Sequence, residues 1–198
     1  MGKKYEMILS AEESFAREVA LGVQVSRSST VWHYIIPGIF IIDFLRRVSA
    51  VRRYSFHFMF PRKLALDVAR DVTLGEDRGR RLLRAQEETE TWLHSINLYS
   101  EDLIRSQTAM VQLLVDHYDR LLKADGDSYY AMIEKAYATR EDYEAFLSRL
   151  ASAEEKVDQG IMEALGETEG LRERLIAERA QVDTQREKHL DKIFSWIG

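Results

Sequence analysis

Proline occurs at only two of the 198 positions, Pro37 and Pro61, so there are few places where a helix is obliged to stop. Alanine, leucine, glutamate and arginine are abundant, and all four are strong helix formers. Helix is therefore expected everywhere outside the glycine-containing junctions. The chain is long enough to bury a real core, and one domain is the simplest expectation. Cysteine is absent, which excludes disulfides, iron–sulfur clusters, thiolate zinc sites and a cysteine nucleophile.

The formal charge of −5 is unevenly distributed. Residues 1–43 carry a net −1, residues 44–84 a net +7, and residues 85–198 a net −11. A basic block beside a long acidic region suits an anionic partner for the block, or docking of the two parts on each other.

Along the chain, Ser10-Ala11-Glu12-Glu13 has the form of a capping box and predicts a helix from Ala11 to Val25, with Phe15, Val19 and Val23 on one face. Residues 26–30 form a polar break, and Thr30 can cap the next element. Val31 to Leu45 then reads VWHYIIPGIFIIDFL, interrupted by Pro37-Gly38. Beyond Phe44 the pattern becomes amphipathic: Leu45, Val48, Val51, Ser55 and Phe58 share a face, with Arg46, Arg47, Arg53 and His57 away from it. Pro61 is expected to end this element, and Leu64 to Val72 to form a short separate helix closed by a turn at Gly75.

Long helices are expected from Arg78 onward. Leu103, Met110, Leu114, Tyr118 and Leu121 make one stripe within a region, Leu82 to Lys123, that fits one or two helices. The turn at 124–128 lets Ser128 cap a short helix, and Thr139 opens a longer one carrying Tyr143, Phe146, Leu150 and Val157. After a break at 166–170 the last helix runs from Leu171 to Ile197, with a seam that predicts an antiparallel pairing with the helix before it. The expected architecture is all-α: an N-terminal helix plus a hydrophobic, basic helical hairpin, packed on or beside a bundle of long antiparallel, coiled-coil-like helices. Residues 1–84 would hold the first part and residues 85–198 the acidic bundle, with one continuous domain as the alternative.

Two stretches, VWHYIIPGIFIIDFLRR with the later PRKLALDVA, and LLVDHYDRLLKADGDSYYAMIEKAYATREDYEAFLSRLASAEEKV, resemble a family of helical bacterial proteins of similar length and no described activity. The resemblance covers Val31 to Val157. It implies no cofactor and no catalytic residue.

The segment 31–63 carries the main functional expectation. About 20 apolar residues are needed to cross a bilayer, and this run is shorter and broken by Pro37-Gly38 and Asp43. A shallow, interfacial seat fits it better. Trp32, Tyr34 and Tyr54 have the apolar body and polar tip suited to the headgroup boundary. Ile35, Ile36, Ile39, Phe40, Phe44 and Phe58 would supply the apolar contact. Arg46, Arg47, Arg52, Arg53, Arg62 and Lys63 come after them, with no acidic residue between Asp43 and Asp67, and are able to meet anionic lipid. Against this stands burial of the segment inside the bundle, its arginines paired with the acidic C-terminal helices.

Other chemistries find less support. Nucleic acid is not expected as a partner: arginines interleave with Tyr54, Phe56 and Phe58, yet the flanks are too apolar for a solvated binding surface and the remaining chain is acidic. The Glu-x-x-His pattern of helical metal centres is absent at all five histidines. Glu90 and His94 are one turn apart, as surface pairs commonly are, and His117 belongs beside Tyr118 at the core edge. Gly75 and Gly79 do not form a phosphate loop. The chain lacks the myristoylation pattern, since Glu6 stands where Ser or Thr is needed, and no secretory leader is apparent. The expectation is thus a non-enzymatic scaffold or adaptor without metal or cofactor. It would sit peripherally on the cytoplasmic face of a membrane through residues 31–63 and meet a protein partner through its acidic helices. The alternative is a soluble homo-oligomeric bundle with the apolar segment as core or subunit interface.

Overall fold

The computed structural model describes residues 2–25, 39–166 and 169–197. Among them are seven α-helices and no strand, so the protein is all-α: α1 (Gly2–Val25), α2 (Ile39–Thr73), α3 (Arg78–Ser95), α4 (Glu101–Lys123), α5 (Tyr129–Ala136), α6 (Arg140–Leu165) and α7 (Glu169–Ile197).

Side-chain caps set several of the boundaries. Ser100 Oγ accepts from Leu103 N at 3.1 Å, Ser128 Oγ from Ala131 N at 3.1 Å and Thr139 Oγ1 from Asp142 N at 3.1 Å. Asp77 caps α3 by accepting from Gly79 N. Gly75 and Gly166 adopt φ of +93° and +73°, a region costly for any side-chain-bearing residue, and so close α2 and α6 sharply.

Two expected boundaries are corrected. Ser10 does not cap a helix: α1 begins at Gly2, and the Ser10 carbonyl accepts from Ser14 Oγ at 2.8 Å inside it. The reason is tertiary, since Ile8 is fully buried and Tyr5 donates to the Asp67 carboxylate of α2, holding the early turns in place. Nor does Pro61 stop its helix; α2 runs through it as one 35-residue element. An interior proline costs about 3 kcal/mol. Behind it Leu64, Leu66 and Val68 are all buried, at about 1.5–3 kcal/mol each, so packing outweighs the lost backbone bond. From residue 39 onward the expected hairpin segment is a single helix, while its first arm from residue 31, its Pro37-Gly38 turn, the polar break and Thr30 lie outside the described residues.

α1 and α2 run antiparallel, with Phe15 against Phe58, Glu12 against Arg62 and Tyr5 against Asp67 in successive layers. The core sits where this pair meets α4 and α6. Its largest cluster draws on Ile8, Leu64 and Leu66 from the first 84 residues and on Leu114, Tyr118 and Leu150 from the rest, so one core spans the expected division at residue 84. α7 packs chiefly along α1, where Val182 is buried against Phe15 and Val19, and touches α6 mainly near Phe194, which meets Tyr143. Among the described residues Arg140 lies beside Asp191 and Tyr143 beside Phe194, so the start of α6 meets the end of α7 and the two run antiparallel there.

Candidate functional site

Glu12 stands at the spacing of the buried stripe Ile8, Phe15 and Val19 on α1, and so is carried into the core with them. It is only 4% exposed, and Arg62 of α2, opposite it, only 6%. Arg62 Nη1 donates to Glu12 Oε2 at 2.5 Å, and Tyr129 Oη of α5 donates to Glu12 Oε1 at 3.1 Å. The guanidinium carbon also lies 4.6 Å from the centroid of Phe58 and 5.6 Å from that of Phe15, so the cation is sandwiched between a carboxylate and aromatic faces. Burial alone would raise the Glu12 carboxyl, but the adjacent Arg62 charge prevails and holds it below its ordinary range.

On the far side, His117 of α4 stacks on Phe146 with centroids 4.4 Å apart and shares a 2.6 Å hydrogen bond between Nδ1 and Tyr137 Oη. Burial pushes its pKa down to about 3; the Glu12 charge works against this, and the Arg62 and Arg120 charges add to it. Burial, then the Glu12 charge, pushes the Tyr118 and Tyr129 hydroxyls up. The cavity between these groups measures about 20 Å³, room for roughly one water molecule and no metabolite. The cluster therefore acts as a clamp that joins α1, α2, α4, α5 and α6.

The residues expected to contact a membrane fall into three groups. Trp32, Tyr34, Ile35 and Ile36 lie outside the described residues. Ile39, Phe40, Phe44, Arg46, Arg47, Arg53 and Tyr54 belong to α2, but their side chains lie outside the described part. Of the remainder, Arg52 and Lys63 are exposed and have no ion-pair partner among the described residues, and Phe58 is half-buried beside Phe15. Arg62 departs from the expectation. It is enclosed and matched by Glu12, which leaves it unable to reach a lipid surface.

Leu21 at the end of α1 is 55% exposed, and Leu45 and Val48 near the start of α2 are 61% and 50% exposed. Because α1 and α2 are antiparallel, all three fall at the same end of the pair. No helix among the described residues is long and apolar enough to cross a membrane. Glu90 accepts from Gln86 Nε2 at 3.1 Å and His94 is exposed on the same helix; among the described residues no group of three His, Asp or Glu side chains is placed to hold a metal. Comparison with protein-family models, curated proteins and solved structures found no match.

The signal for the clamp was present in the sequence. An acidic residue in a helical apolar stripe needs a buried cation, and Arg62, flanked by Phe58 and Leu64, is that cation, hidden in sequence by the basic block around it.

Proposed function

We propose that the chain is a non-enzymatic scaffold that rests on an anionic membrane through the common end of α1 and α2, and that its acidic helices face a protein partner. The observation that supports this reading is the exposure of Leu21, Leu45 and Val48 together at that end, close in sequence to twelve uncharged residues and followed by Arg52. Apolar side chains seated at the acyl boundary with arginines at the headgroups are the arrangement of an interfacial helix. Each basic residue near an anionic surface adds about 1 kcal/mol, and with Arg62 withdrawn five residues of the block stay in play: Arg46, Arg47, Arg52, Arg53 and Lys63.

Flotation with vesicles of phosphatidylglycerol and phosphatidylcholine tests the reading. The protein should rise with them in low salt, and the Leu45→Asp, Val48→Asp variant should stay at the bottom while keeping its helix content. Wild-type protein left at the bottom, with a mass above the monomer by light scattering that drops in the same variant, would replace the membrane with a second copy of the chain as the partner for this face.

A further inference from the structure

The exposed stripe of α2 does not end at Val48. Positions 48, 52, 55, 59 and 63 recur by threes and fours, so Val48, Arg52, Ser55, Met59 and Lys63 lie along one face. From Arg52 onward this face forms one wall of a groove of about 640 Å³, closed by α1 on one side and α3 on another. That volume lies within the range of small-molecule sites. Its apolar lining is Met59, Phe60 and Leu64, with Phe60 held in place by stacking on Trp92 at 4.6 Å between centroids.

Six charged side chains line the groove, and they are not equivalent. Asp67 is engaged by the Tyr5 hydroxyl and Glu88 accepts from Arg84 Nε at 3.2 Å. Arg17, Arg52 and Lys63 are exposed and make no ion pair with any described residue. Glu13 and Asp67 are the carboxylates of the lining without an ion-pair partner among the described residues, Asp67 accepting only from the neutral Tyr5 hydroxyl. Three cations therefore face two carboxylates that no cation offsets, around an apolar floor, and the cations hold the excess by one charge.

We propose that this groove binds the head of an anionic phospholipid, its phosphate met by Arg17, Arg52 and Lys63 and its glycerol and first methylenes lying over Met59 and Phe60. The proposal builds on the membrane reading above and makes it specific: the tip supplies the shallow seat and the groove selects one lipid from that surface. A bare phosphate would leave the apolar floor unused, so a lipid is the source that the groove's chemistry favours.

Calorimetric titration with monomeric dihexanoyl phosphatidic acid, below its micelle concentration, tests it apart from membrane seating. Wild-type protein should bind, and the Arg17→Ala, Lys63→Ala variant should bind about tenfold or more weakly, as expected for lost charge-assisted contacts. The Leu45→Asp, Val48→Asp variant should bind the monomeric lipid as the wild type does. Absence of wild-type binding, or equal binding by the groove variant, overturns the proposal whatever flotation shows. Inorganic phosphate competing at the same concentration as the lipid overturns the lipid as ligand. Monomer binding in a protein that fails to float would retain the groove and discard the membrane seat.

Discussion

Removing the Glu12 carboxylate would take the closest anion from the buried Arg62 guanidinium, leaving the faces of Phe15 and Phe58, the Tyr118 hydroxyl and the weaker influence of Glu154. Breaking a buried pair by deleting one partner typically costs 3–5 kcal/mol, far more than the pair's net contribution, because the surviving charge is desolvated and uncompensated. Tyr129 would lose its acceptor too, worth about 1 kcal/mol. Glu12→Ala should therefore lose about 4 kcal/mol, a large part of the 5–15 kcal/mol that typically separates folded from unfolded states. With a urea slope of about 2 kcal/mol per molar, the midpoint should fall by about 2 M. The double change Glu12→Leu, Arg62→Met removes both charges and keeps the volume, so it should recover at least about 2 kcal/mol of the single variant's loss. Urea titration followed by far-ultraviolet circular dichroism measures all three proteins. A midpoint shift under about 0.5 M for Glu12→Ala, or a double variant no more stable than Glu12→Ala, would refute the description of this pair as the clamp of the core.

His117 should make stability fall with acid. Its folded pKa of about 3 lies below the ordinary 6.5, so below pH 6.5 the unfolded chain takes up a proton that the folded one refuses. Its contribution is complete above pH 6.5 and declines by about 1.4 kcal/mol per pH unit toward pH 3; comparing urea midpoints at pH 7.5 and 5.0 for wild type and His117→Gln should show a shallower loss in the variant. Gly75→Ala should cost about 1–2 kcal/mol through backbone strain alone, because φ is +93° there and an added methyl meets nothing within 4 Å; thermal unfolding reads this, and an unchanged midpoint contradicts it.

The helices were legible in the sequence wherever an apolar stripe coincided with a cap. Ser128 and Thr139 sit where their helices begin, and Leu103, Met110, Leu114, Tyr118 and Leu121 form a buried line as their spacing implies. Local signals failed where tertiary packing opposed them. Ser10 has a good cap's neighbours, but the burial of Ile8 before it carries the helix past; Pro61 is a helix breaker, but the buried run after it keeps α2 whole. The site divided in the same way. Exposure of Arg52 and Lys63 accords with a charge block lacking acidic residues, whereas Arg62 lies in that block only in sequence, since the partner that buries it is fifty residues earlier. The groove was not legible at all, because Arg17 and Glu13 come from α1 and meet α2 and α3 only in the folded chain.

The proposed entry of the α1–α2 end into an anionic bilayer can be measured directly at Val48. With no native cysteine, Val48→Cys gives a single site for a nitroxide label, and Glu155→Cys on α6 gives an exposed control. On adding phosphatidylglycerol vesicles in low salt, the label at 48 should gain collisions with oxygen and lose them with a water-soluble nickel complex, while the label at 155 keeps its aqueous behaviour. A label at 48 that stays as open to nickel with saturating vesicles as without them would contradict the account.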